Sequence, residues 1–190
     1  MVYDYEINGI SVQTGDLICT TDGGKDDMKG QFWKLIGKLI PGDVDHIVIY
    51  VGPEGRCVEA GAKGRVITFT IEGDRWDSDA MYDQRWISDI LYGIAFPLAG
   101  RQKSSQAITE IREGVSEYCI EQANKKKPYN LNFLDSNTEN SFYCSQLAYK
   151  AYLKYGVDLN TGEGIPDIPF TNSIIFPQEI WSGSRHTRPG

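Results

Sequence analysis

Asp45-His46-Ile47-Val48-Ile49-Tyr50-Val51-Gly52 is the stretch that decides the fold. Its centre is a short, nearly continuous apolar run, as expected of a strand covered on both faces, and a histidine stands at its mouth. Gly52-Pro53-Glu54-Gly55 is turn chemistry, so Arg56 to Ala60 should return as a partner strand and close a hairpin. Gly64 to Ile71 and Ile87 to Phe96 read as further strands. Upstream, residues 8–20 alternate and end in Gly15-Asp16-Leu17-Ile18-Cys19, a turn followed by a strand.

Helical periodicity marks three segments. Met28, Phe32, Leu35, Ile36 and Leu39 fall at helical spacing, with Asp27 as cap and Pro41-Gly42 as stop. Ser104 to Ala123 is the clearest amphipathic helix, with Ile108, Ile111, Val115, Tyr118 or Cys119, and Gln122 along one stripe. Ser141 to Tyr155 is the next, capped by Ser141 and closed by Gly156. Residues 73–86 mix acids with aromatics and show no period. From Gly162 onward repeated prolines break any pattern, so this stretch is expected to wrap the surface and to end in a mobile tail carrying His186.

The 190 residues suit a single domain, 1–190, with its sheet over about 12–100, helices and a cysteine segment over about 104–156, and an irregular wrap over about 157–190. A formal charge of −7 supplies no basic face for phosphates, which argues against a nucleic-acid partner. Lys125-Lys126-Lys127, the one basic run, sits where a helix ends and complements its dipole. Gly23-Gly24-Lys25 lacks the Walker spacing and the hydroxyl after the lysine, and the same stretch lacks calcium-loop ligands. Cys19, Cys57, Cys119 and Cys144 form no CxxC pair and no disulfide framework, so neither metal nor cofactor is expected. No leader or membrane-spanning run is visible, and a cytoplasmic protein with reduced thiols is the expectation.

Two of these residues can do chemistry together. Cys144 in the first turn of a helix meets unpaired N–H groups and a dipole that favour the thiolate, and its own N–H can serve a developing oxyanion. The competing reading is a buried core cysteine, which is how Cys19, Cys57 and Cys119 are taken. His46 is the candidate base; the alternative is a strand-start histidine bonded to a nearby loop. A third polar group would fix the imidazole tautomer. Glu59 in Val58-Glu59-Ala60 is either that group or an exposed strand residue, and Asp45 is a weaker rival because adjacent strand residues face opposite ways.

Gly15-Asp16-Leu17-Ile18, His46-Ile47-Val48-Ile49-Tyr50-Val51-Gly52, Val58-Glu59-Ala60 and Tyr143-Cys144-Ser145-Gln146-Leu147 occur in that order. Together they resemble the NlpC-type branch of the papain-like thiol hydrolases with the cysteine helix moved to the end. That order resembles the circularly permuted YaeF/YiiX-type papain-like amidases, related to lecithin:retinol acyltransferase-like proteins, over about residues 12–182. The resemblance implies an α+β papain-like fold with an antiparallel, barrel-like sheet packed against the cysteine helix. It implies Cys144 as nucleophile, His46 as base and Glu59 as the residue orienting it. Lys127-Pro128-Tyr129 matches the Pro-Tyr upstream of the family's cysteine, placing Tyr129, with Tyr143, at the pocket or the oxyanion hole. Tyr143 replaces the family's Asp, Gln146 its Gly after the Ser, and Val48 the strand's usual glycine.

The implied activity is cleavage of an amide bond in a small peptide, of cell-wall or γ-glutamyl type. The permuted relatives imply an alternative, a lipid acyl hydrolase or acyltransferase, and membrane contact is expected only with such a lipid substrate. A different class is a non-catalytic binding module on the same fold. An apolar channel beside Cys144 would favour lipid, and a small polar cleft would favour peptide.

Overall fold

Alternation along the chain builds a sheet with two covered faces. The structure is a computed structural model and describes residues 1–23, 41–167 and 169–190. Its elements are β1 (Asp4–Ile7), β2 (Ile10–Gln13), β3 (Leu17–Asp22), β4 (His46–Tyr50), β5 (Arg56–Ala60), β6 (Val66–Thr70), α1 (Tyr82–Arg85), β7 (Asp89–Phe96), α2 (Ser105–Asn124), α3 (Cys144–Leu153), α4 (Pro177–Ser182) and β8 (Arg185–Thr187). The helix expected around Met28 to Leu39 lies outside the described residues.

β1 and β2 form a separate hairpin, in which Asn8 and Gly9, both at positive φ, make the two-residue loop between Ile7 and Ile10. Among the described residues, the main sheet has six strands in the order β6-β5-β4-β3-β7-β8, every neighbouring pair antiparallel. It curls into half a barrel, and the chain is of mixed α and β type, compatible with an α+β class. Successive residues of β4 serve opposite faces. Ile47 and Ile49 pack with α2 and α3, whereas Val48 and Tyr50 pack with the hairpin, Phe69, Trp76 and Met81.

Several polar bonds lock the helices onto the sheet near the turn that precedes β3. Arg112 of α2 donates to Asp16 at 2.8 Å and to the Thr14 carbonyl at 2.7 Å, and the Tyr152 hydroxyl of α3 donates to the Gly15 carbonyl at 2.6 Å. α2 begins at its Ser104 cap, and Ile111, Val115, Tyr118, Cys119 and Gln122 of the expected stripe are buried. Among the described residues, no helix is long and apolar enough to cross a membrane.

Two expectations change. Ser141 does not cap the cysteine helix: the Phe142 N–H donates to the Pro128 carbonyl and its carbonyl accepts from Asn130, so Phe142 lies in a bridge with Tyr129 and α3 starts at Cys144. The C-terminal stretch does more than wrap. Ile175, Phe176, Ile180 and Trp181 are buried, α4 opens at Pro177, and β8 adds an edge strand beside β7. His186, expected in a mobile tail, lies in β8 and stacks on Trp181 with ring centroids 4.0 Å apart.

Candidate active site

Strand register gathers the polar side chains at one end of the sheet. Thr20 lies directly opposite His46, and Leu91 lies opposite Thr20 on the other side. Two residues before Leu91, on the same face, is Asp89. Across β4, Val58 pairs with Ile49, which sets Glu59 diagonally from His46 on that same face. The His46 Nε2 lies 2.8 Å from Glu59 Oε2. Glu59 is fully buried, so the reading of an exposed strand residue does not hold.

The cysteine arrives from the opposite layer. Tyr143 is the extended residue before α3, and its N–H donates to the Gln146 side chain at 3.2 Å, a cap that starts the helix at Cys144. Gln146 also accepts from Asn130 at 3.0 Å and donates to the Thr138 carbonyl at 3.0 Å, which ties down the loop before the helix. Helix geometry leaves the Cys144 N–H without an intrahelical acceptor. The thiol lies within hydrogen-bonding reach of the His46 imidazole. With Nε2 committed to Glu59, Nδ1 is the ring nitrogen left to face the sulfur.

The electrostatics follow from this packing. Burial pushes the Cys144 thiol up, but the adjacent imidazolium, a hydrogen bond to it and the Ile47 N–H outweigh burial and hold the thiol below its ordinary 9.0. Burial pulls His46 down, yet the Cys144 thiolate and the Glu59 carboxylate together raise it from 6.5 to about 10. Desolvation raises the Glu59 carboxyl, and Arg85 and His46 more than reverse this, so it stays below its ordinary value. An ionised Glu59 can only accept, so His46 Nε2 carries a proton. The pair titrates as a unit, and each partner's charge favours the charged form of the other.

Two further residues complete this network, and sequence reasoning missed both. Arg85, fully buried, donates to Glu59 through Nε at 3.0 Å and Nη2 at 2.8 Å, and to both Asp89 oxygens at 2.9 Å. Asp89 also accepts from the Thr20 hydroxyl at 2.7 Å and the Trp76 indole N–H at 3.2 Å. The one signal was an arginine in the segment without a period, four residues before an aspartate near the start of the expected strand. Asp45 accepts from the Thr21 hydroxyl and the Asp22 N–H, away from the imidazole's Nε2.

Beside Cys144 lies a cleft of about 220 Å³. Tyr129, Phe133, Tyr143, Ile174, Ile175 and Phe176 line it. Thus both tyrosines singled out from the sequence line the cleft. Tyr129 is placed by its N–H bond to the Gly64 carbonyl at 2.8 Å and by bridging to Phe142. Burial and the neighbouring Cys144 charge keep its hydroxyl protonated well above 10. Next to the lining residue Pro177, the Gln178 side-chain oxygen accepts from the Asp43 and Val44 N–H groups at 2.9 and 3.2 Å.

Cys19, Cys57 and Cys119 are wholly buried on β3, β5 and α2, and burial pushes each thiol far up. Compared with protein-family models, curated proteins and solved structures, the chain matches none.

Proposed function

We propose that this chain is a thiol-dependent hydrolase on a circularly permuted papain-like, NlpC-type fold, cleaving an amide bond in a small peptide. The observation that carries the reading is the continuous chain from Cys144 through His46 to Glu59, with one ring nitrogen for each partner. The Cys144 thiolate attacks the carbonyl carbon, and the π electrons move onto its oxygen. That oxyanion meets the Cys144 N–H, with the Tyr129 hydroxyl as second donor. As the C–N bond breaks, His46 Nδ1 delivers its proton to the leaving nitrogen and a thioester remains. Water then attacks the thioester, His46 takes a proton from it, and the C–S bond breaks to give a carboxylic acid and the restored thiolate. The chain's own residues suffice for these steps.

A second reading has one observation in its favour. The walls of the cleft are largely apolar, through Phe133, Ile174, Ile175 and Phe176, which suits an acyl chain as well as an apolar peptide side chain. On that reading the same thiolate takes an acyl group from a lipid ester and passes it to water or to an acceptor.

A fluorescent iodoacetamide probe at neutral pH, under reducing conditions, tests the shared mechanism. Wild-type protein should label at Cys144, and Cys144→Ala should not. Equal labelling of both proteins, or none of either, would leave a binding module on the same fold. A panel of peptide anilides and acyl esters then separates the substrates: turnover of esters alone, lost in Cys144→Ala, would replace the amide reading with the lipid one.

A further inference from the structure

A buried carboxylate beside an imidazolium has an uncharged alternative. The proton can cross to the carboxylate, and burial, which penalises both charges, favours that transfer. Neutral imidazole beside Cys144 would no longer hold the thiolate. Something must therefore stop Glu59 from taking the proton, and the fold supplies a specific candidate.

Arg85 grips Glu59 with two N–H groups, Nε on Oε1 and Nη2 on Oε2, so it fixes the plane of the carboxylate as well as its charge. Protonating Glu59 would leave a guanidinium that cannot lose its own proton facing a neutral acid in a dry site. One arginine against one glutamate would cancel and leave His46 without a field. Asp89 alters that balance. Two carboxylates around one guanidinium leave one net negative charge, the match for an imidazolium. Asp89 is itself held by Thr20 and Trp76, and the guanidinium lies over the Phe69 and Trp76 rings, 4.7 and 4.6 Å from their centroids.

We infer that Arg85, held by Asp89, is a positioning residue for the Cys144–His46 pair: it keeps the Glu59 carboxylate ionised and aimed at His46, so the proton stays on the imidazole. This rests on the thiol–imidazole reading above. Among the described residues, the titratable groups facing the network are Cys144 from α3, Arg85 from α1, Asp89 from β7, Asp45 before β4, Cys57 on β5, Cys19 on β3, Tyr129 and Tyr143. Arg85 is the one permanent cation among them.

The test is the rate constant for alkylation of Cys144 by iodoacetamide, followed from about pH 4 to about pH 10 in wild type, Arg85→Met, Arg85→Lys and Asp89→Asn, because that rate reports thiolate. Wild type should show an acid limb well below the ordinary thiol range. Arg85→Met should move the limb up by about one pH unit or more, an approximately tenfold loss of rate on the acid side. Arg85→Lys should fall between, since it keeps the charge without the fork. Asp89→Asn should shift the limb in the same direction as Arg85→Met.

A folded Arg85→Met protein with its limb unmoved overturns the role of Arg85 and leaves the thiol mechanism standing. A wild-type limb at the ordinary thiol value overturns both. Should Arg85→Met not fold, carboxyl carbon-13 resonances of the wild-type protein decide. Glu59 should remain ionised below the ordinary glutamate range, and a Glu59 titrating at or above that range overturns the inference.

Discussion

The Ile175 N–H donates to the Tyr143 hydroxyl across 3.0 Å, and the Ser145 hydroxyl donates to the Ile175 carbonyl at 2.6 Å. The residues on either side of the candidate nucleophile thus hold both backbone groups of one residue that lines the cleft. Tyr143 fastens that residue to the start of α3. Tyr143→Phe removes the acceptor for a buried N–H and should cost about 1–3 kcal/mol in urea unfolding. With that residue loosened but the Cys144–His46 pair untouched, KM should rise several-fold while kcat changes little. A drop in kcat alone would place Tyr143 in the chemistry instead.

Asp45 adjoins the histidine in sequence and Glu59 lies on the return strand, yet only Glu59 reaches its Nε2. Glu59→Gln keeps the shape and removes the charge. Activity should fall by about 10²- to 10⁴-fold, the range for losing a group that holds a base in its working state. Unfolding should show a loss toward the lower end of about 3–5 kcal/mol, because Arg85 retains Asp89. Asp45→Asn should leave kcat/KM within a few-fold of wild type. A steady-state comparison of the two variants distinguishes the orienting residue.

Thiol reactivity should be confined to one cysteine. Cys19, Cys57 and Cys119 are buried and their thiols are pushed far up by desolvation, whereas Cys144 is held down by His46. Brief treatment of the native protein with iodoacetamide near pH 6 should add one adduct by intact mass, located at Cys144. Two or more adducts before unfolding would contradict the burial of the other three.

The catalytic candidates were legible because local sequence carries them. An apolar run with a histidine at its mouth, a turn and a return strand bring Glu59 to His46 through short-range pairing alone. Cys144 was legible as a helix start, though not its true cap: Ser141 has the right chemistry, but the pull of Phe142 into a bridge with Tyr129 overrides it. Arg85 and Asp89 were not legible. They sit four apart, but the interval crosses from a one-turn helix to a strand, so no helix-face rule relates them. A buried arginine makes sense only once its partner Glu59, distant in the chain, is in place. The C-terminal strand was missed for a similar reason, since short β8 gains its order from the edge of β7 and the Trp181 ring.

The ion pair should also write itself into stability against pH. His46 is raised in the folded state, from 6.5 to about 10. Its contribution is therefore full below 6.5 and is lost as the pH climbs through about 10. Cys144 is lowered from 9.0, so its contribution is full above 9.0 and is lost as the pH falls through its folded value. Around neutral pH the two slopes oppose each other, because the folded pair and the unfolded pair each hold one proton. Above 9.0 the unfolded pair holds none while the folded imidazolium keeps its own, so stability falls toward about 10. Urea midpoints of wild type and a Cys144→Ser/His46→Gln double variant, taken from about pH 7 to about pH 10.5, isolate the pair from the buried tyrosines, which both proteins share. The wild-type advantage should hold level near neutral pH and shrink on the alkaline side, and an advantage that stayed level from about pH 9 to about pH 10 would show that the folded pair has already lost its proton.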